Sequence, residues 1–441
     1  MLPWAVCKIT RVFWVRHNPN IPERSGWQSI FKQLLRKTGG SARSGASGTS
    51  PPECAGCLRG MRRDSRKEGL RVCDIKAERD GRVHRVSADV RGRTLWFESE
   101  DVELCPSPEG FGCALLVAAL HGGRTLTIEG EVSAGWLSNA DRLLDVFQTW
   151  WGYPKLSPRA AARPDDEPPG IDETALCFSG GVDSFYSLLH PGRRVDLLLA
   201  VHGYDIKLRD KERASEFESS LRAVAVELAV RPVVVRTNLR EHPAFAGAPW
   251  ERTHGGALAA VGHLLGRSAG RLLVSSSYPN SSHLPWGSHW QSDPLWSSDR
   301  LKVIHVGAER QRSDKLRAIA REPLVRRHLR VCWENLAPEG NCSRCEKCLR
   351  TRLLLADWGE LENFPVFEGA GTLARRLDSL PAIRGRGRLF VKLLESGRLT
   401  PEVKTALRNL CERTRRARNF RSRLAGNTLG RAFAWAKNRI R

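Results

Sequence analysis

The sequence predicts an α/β protein: a doubly wound parallel sheet, preceded by a small α+β domain and followed by a four-cysteine knuckle. Three observations carry this. Residues 174–277 contain four short, almost wholly apolar runs, TALCF, VDLLLAVHG, RPVVVRTN and RLLVSSS, separated by helical stretches. Strands buried on both faces lose polar/apolar alternation, and strands alternating with helices build a parallel sheet. Residues 70–150 run differently, with period-two segments and only two helical stretches. Finally, four cysteines crowd into residues 332–348.

The chain has 441 residues, enough for two or three domains, and 41% are apolar. Its formal net charge of +23 is concentrated in the first sixty and last thirty residues. Such ends suit a polyanionic partner, RNA or an anionic membrane surface, or are simply solvated. No stretch reaches the length of a membrane span, and the N-terminus lacks the apolar core of a signal peptide. Clustered rather than dispersed cysteines point to metal ligation in a reducing compartment, so a cytoplasmic location is expected.

Residues 1–60 show no sustained period and end in GGSARSGASGTSPPECAGC. They read as a disordered extension, with Met61 as a candidate true start; Cys54 and Cys57 fall in this part and are discounted. In the small α+β domain, 61–155, RVHRVSADV, RTLWFES and TLTIEGEVS read as strands. GFGCALLVAALHGG and NADRLLDVFQTWWG read as helices with glycine stops. Residues 156–170 read as a Pro/Ala/Asp linker. The sheet domain then spans 171–330, with helices in DSFYSLLH, ERASEFESSLRAVAVELA and HGGALAAVGHLLG, and such sheets bind ligands at the carboxyl ends of their strands.

The sharpest motif lies at the first of these ends, where Ala175–Phe178 runs into Ser179-Gly180-Gly181-Val182-Asp183-Ser184 and a helix. Two glycines let the backbone approach a phosphate closely. The amides of the turn and the helix N-terminus make an anion cradle, and Ser179 and Ser184 add hydroxyl donors. Asp183 suits a Mg2+ bridging it to the phosphates, or caps the helix. After the second strand, His202 and Asp205 are candidates for the ribose or substrate side; His202 is equally a strand-end histidine with a satisfied hydrogen bond. Thr237, Asn238 and Arg240 follow the third strand, and Ser275 to Ser277 the fourth.

The next segment, SSSYPNSSHLPWGSHWQSDPLWSSDR, is too long and too aromatic for an ordinary connector. It is expected to form much of a second-substrate pocket. Gly287, Ser288, His289 and Asp293 offer polar contacts; Trp286 and Trp296 form walls, or simply bury against the core.

Residues 331–360 form the expected metal knuckle. Cys332, Cys342, Cys345 and Cys348 have C-x9-C-x2-C-x2-C spacing, the count and turn chemistry of a tetrahedral Zn2+ site. An iron–sulfur cluster is the alternative. Arg344, Lys347 and Arg350 offset thiolate charge. The remainder, 361–441, reads as a basic helical region, with LRNLCERTRRARNFRSRLAG an amphipathic helix suited to RNA or packed on the domain.

SGGVDS resembles the PP-loop signature, SGGxDS, of the Rossmann-like ATP pyrophosphatase superfamily. No GxxxxGK[ST] loop is present. Combined with the cysteine spacing, with Leu349-Arg350, and with RSDKLRAIAREPL around Lys315, the resemblance over residues 174–355 is closest to the 7-cyano-7-deazaguanine synthase family. It implies ATP and Mg2+ at Ser179, Gly180, Gly181, Val182, Asp183 and Ser184, with adenine read by the backbone at Val201, His202 and Gly203. Asp183, Ser184 and Lys315 would be the catalytic set. It further implies adenylation of a carboxylate, release of pyrophosphate and attack by ammonia, with a structural zinc and a homodimer. The loop at 275–300 departs from that family's substrate loop, so a different carboxylate or carbonyl substrate is expected. Two alternatives remain open, an RNA-thiolating enzyme of the same superfamily and a non-catalytic nucleotide sensor.

Overall fold

The computed structural model describes residues 69–166, 170–190, 192, 194–337, 340–383 and 387–426. All belong to one compact unit. The readings of residues 1–60 and of Met61 lie outside the described residues.

Ten strands form one mixed sheet, in the order β10-β9-β6-β7-β8-β3-β2-β1-β4-β5. The apolar runs are β6 (Thr174–Cys177), β7 (Leu197–His202), β8 (Arg231–Thr237) and β9 (Arg271–Ser275), all parallel, with β10 (Lys302–Val306) beside β9. Their side chains alternate between two cores. Ala175, Leu197, Leu199, Val233, Val235, Leu272 and Val274 face one, while Leu176, Leu198, Ala200, Val234 and Leu273 face the other. Burial on both faces explains why these strands carry no polar period. Helix α1 (Pro108–His121), α2 (Ala134–Trp151) and α5 (Trp250–Leu264) cover the first face. Helices α3 (Val182–Leu189), α4 (Lys211–Glu227), α6 (Arg312–Ile319), α7 (Pro323–His328) and α8 (Glu346–Asp357) cover the second.

The expected separate N-terminal domain is not a separate body. Its strands β1 (Leu70–Asp80), β2 (Val83–Val90), β3 (Thr94–Ser99) and β4 (Leu126–Ser133) extend the same sheet, because β3 pairs antiparallel with β8 through Phe97–Thr237 and Glu98–Arg236. Side chains fasten the seam: Thr237 Oγ1 donates to the Trp96 carbonyl (2.7 Å), Trp96 N to Asn238 Oδ1 (3.0 Å) and Ser99 Oγ to the Val234 carbonyl (2.8 Å). The expected linker also differs: Arg159–Arg163 is strand β5, parallel to β4. Arg163 then reaches the almost fully buried carboxylate of Asp299, an ion pair that ties β5 to the loop before β10.

The C-terminal region is helical, with α9 (Leu373–Ser379), α10 (Arg388–Glu395) and α11 (Pro401–Gly426). Along α11, Val403, Ala406, Leu407, Leu410 and Thr414 are buried, a helical stripe packed on the domain, while Arg415 and Arg416 are exposed. Among the described residues no helix is long and apolar enough to cross a membrane.

Candidate functional site

Strand order reverses between β6 and β9. The chain steps outward from β6 to β7 and β8, then crosses to β9 and β10 on the other side. Diverging connections open a crevice at such a switch point, outside the carboxyl ends of the strands. SGGVDS sits there, between β6 and α3. Gly180 has φ +68°, a left-handed turn that favours glycine. Ser179 is exposed, and Ser184 Oγ bonds back to the Gly181 carbonyl (3.1 Å). Gly181 caps α3, whose first-turn amides have no intrahelical acceptor.

Asp183 does not cap the helix. Its carboxylate pairs with Arg312 and, at 3.3 Å, with Lys315 Nζ. Lys315 is 1% exposed and also donates to the Ser276 carbonyl (2.6 Å), joining the loop after β6 to the loop after β9. Burial pulls the Lys315 ammonium below its ordinary range, against the opposing pull of Asp183. Arg312 had no role in the sequence reading. The signal was available: it lies three residues before Lys315 on α6, hence on the same face.

At the carboxyl end of β7, Val201 is half-buried and His202 is buried. His202 Nε2 faces the Lys207 carbonyl at 3.0 Å, while its Nδ1 is buried without a partner among the described residues. Gly203 has φ +110°, and a Cβ there would stand 2.0 Å from the Thr237 carbonyl oxygen. Gly203→Ala is therefore expected to destabilise the fold by about 2 kcal/mol or more; an unchanged thermal melt would refute the close approach of β7 and β8. Thr237 and Asn238, expected at the ligand edge, instead bond to β3. Arg240 donates to the Tyr204 carbonyl (2.6 Å) and lies over the Trp250 ring at 4.5 Å.

The long loop splits into two parts. Trp296 is 1% exposed in the core beside Phe147, not a wall of the crevice. Trp286 is half-buried, edge-on to His254 (5.7 Å) and Tyr278 (5.6 Å). Asp293 is buried and accepts hydrogen bonds from Ser288 Oγ (2.7 Å), the His289 amide (3.1 Å) and His305 Nδ1 (2.7 Å). His305, on β10, is a member of this polar cluster that the sequence reading missed. Separately, a cavity of about 340 Å3 lies between α3 and the last two strands, lined by Tyr186, Ser187, Ile304 and Val306 among others.

Cys332, Cys342, Cys345 and Cys348 converge, with sulfurs all within 4.8 Å of one another and Cys342 and Cys348 3.9 Å apart. A tetrahedral ion with bonds of about 2.3 Å sets its ligands roughly 3.8 Å apart, so the cage fits a single ion. The Cys345 amide lies 3.3 Å from the Cys342 sulfur, and Asn341 Oδ1 accepts from the amides of Val331 (2.8 Å) and Cys332 (3.1 Å). Hydrogen bonding among the four sulfurs splits them, holding the Cys332 and Cys342 thiols below their ordinary range and pushing those of Cys345 and Cys348 above it. The same segment grips the loop: Arg330 N donates to the Gly180 carbonyl at 2.7 Å, two residues before Cys332.

Comparison of the chain with protein-family models, curated proteins and solved structures finds no match.

Proposed function

We propose that this protein is an ATP-dependent enzyme that activates a carboxylate or carbonyl substrate by adenylation and then joins it to ammonia or an amine. The single observation that carries the reading is the SGGVDS turn at the switch point of a parallel sheet, with Gly180 left-handed and Asp183 facing two cations. In the adenylation step a carboxylate oxygen attacks the α-phosphorus, the Pα–O bond to the β-phosphate breaks, and pyrophosphate leaves with the electron pair. The amine then attacks the acyl carbon, and AMP leaves with the electrons of the acyl C–O bond while the nitrogen's surplus proton passes to solvent. Loop amides, Ser179, Ser184, Lys315 and Arg312 stabilise charge gathering on the departing pyrophosphate, the term that dominates most such catalysis. Mg2+ bound with the triphosphate supplies further charge neutralisation. The metal in the thiolate cage is Zn2+ in a structural role, since all four positions are taken by protein.

The test is release of AMP and pyrophosphate from ATP across a panel of carboxylates with ammonium present, using the intact, metal-loaded chain and Asp183→Asn as control. Substrate-dependent pyrophosphate from the wild type alone is the expected result. A folded, metal-loaded protein with no affinity for adenine nucleotides would sink the proposal.

A further inference from the structure

The metal knuckle and the phosphate loop share more than the Arg330–Gly180 bond. Cys345 is the N-cap of helix α8, whose first turn carries Lys347 between two of the clustered cysteines. The Lys347 side chain is exposed, and among the described residues its ammonium has neither a hydrogen bond nor an ion pair. The charges within its electrostatic reach are Arg312, Asp205, Asp183 and Cys345. Asp183 and Arg312 belong to the loop's charged cluster, and Asp205 follows β7 at the same sheet edge. A solvated surface lysine needs no such surroundings. This one is carried by a rigid element to the charged cluster at the sheet edge, where Arg312 is paired with Asp183 and a bound polyanion would add a partner for the lysine.

We propose that Lys347 is a phosphate-contacting residue supplied by the metal knuckle, reaching the β- and γ-phosphates of the nucleotide held by SGGVDS, so that metal and nucleotide bind cooperatively. The inference rests on the nucleotide-binding reading above and deepens it. Two links carry the coupling. Cys345 and Cys348 fix the turn that aims Lys347, and Cys332 fixes the segment whose Arg330 amide holds Gly180. Coupling of this kind is reciprocal, so nucleotide should also slow loss of the metal.

The experiment measures affinity for ATP, ADP and AMP by calorimetry on the full chain, for wild type, Lys347→Met and Lys347→Arg, with metal content determined on each sample. Methionine keeps the aliphatic stem and removes the charge. Lys347→Met should weaken ATP by about tenfold, the scale of one lost hydrogen bond to a charged group, and leave AMP nearly unchanged. Lys347→Arg should recover most of the ATP affinity, and metal content should stay at wild-type level throughout. Rate of metal loss to a chelator, followed with and without ATP, should fall when ATP is present. Unchanged ATP affinity in Lys347→Met, an equal loss for ATP and AMP, or loss of metal from both variants would each overturn the proposal. If the wild type binds no nucleotide the underlying reading fails instead, an outcome separable from these because it appears before any substitution is made.

Discussion

Asp183→Ala should cost both activity and stability. Turnover to pyrophosphate is expected to fall on the order of 10²–10³-fold, the scale of removing one preorganised electrostatic group. The folded state should lose about 3 kcal/mol, because Lys315 would keep a buried charge with only the Ser276 carbonyl to meet it. The loss should depend on pH in a defined direction. Burial already lowers the Lys315 pKa from its ordinary value, and the substitution removes the carboxylate that opposes that shift. Between the lowered folded value and the unfolded one, the unfolded chain binds more protons. The variant's stability must therefore rise with pH as Lys315 sheds its proton. Denaturant melts from pH 7 to 10 should show the gap to wild type narrowing; a constant gap would mean that Lys315 is not the stranded charge.

Stripping the metal should have the larger effect on the fold. The four cysteines belong to the same apolar core as Leu349, Leu353, Phe364, Leu373 and Phe390. Structural Zn2+ contributes about 10–16 kcal/mol of apparent binding energy in zinc-finger peptides near pH 7. Chelation, or Cys348→Ser at a fully buried position, is expected to lower the melting temperature by more than 10 °C and to abolish nucleotide binding through the Arg330–Gly180 clasp. Mass spectrometry should find one zinc per chain in the purified protein. A melt unchanged after complete removal of metal would show that the cysteines hold the fold without it.

The SGGVDS turn and the four-cysteine cage stood out in the sequence because each needs particular residues at fixed spacing. Two glycines, two serines and an aspartate admit few other uses at a strand–helix junction, and short Cys-x2-Cys turns bring sulfurs together whatever surrounds them. The buried parallel strands were equally legible from their apolar runs. What was hidden follows from physics the spacing does not record. Strand β1 has a largely exposed outer half, KAERD, and so lacks a continuous apolar run. Strands β5 and β10 are short edge strands with five residues each. Thr237 and Asn238 stand at a carboxyl strand end, where a ligand site was expected, but position along one strand does not reveal the antiparallel neighbour that takes their hydrogen bonds. Trp296 could be read as a pocket wall or as core, since an aromatic in a polar loop reads the same either way, and it is core. The Arg330 clasp is a main-chain bond and leaves no mark on residue identity.

The unbroken ladder from β10 to β5 also limits how this molecule works as a machine. Two lobes swinging about a linker could admit and expel a substrate by opening wide, but here such a swing would tear the rungs between β3 and β8 together with the side chains that rivet them. For the chemistry proposed above, shutting the crevice against water would fall to lighter pieces at its rim, such as the exposed and half-buried stretch from Ser277 to Trp286 that precedes the buried Asp293 and Trp296. The proposed cycle would be one of shutters moving on a fixed frame.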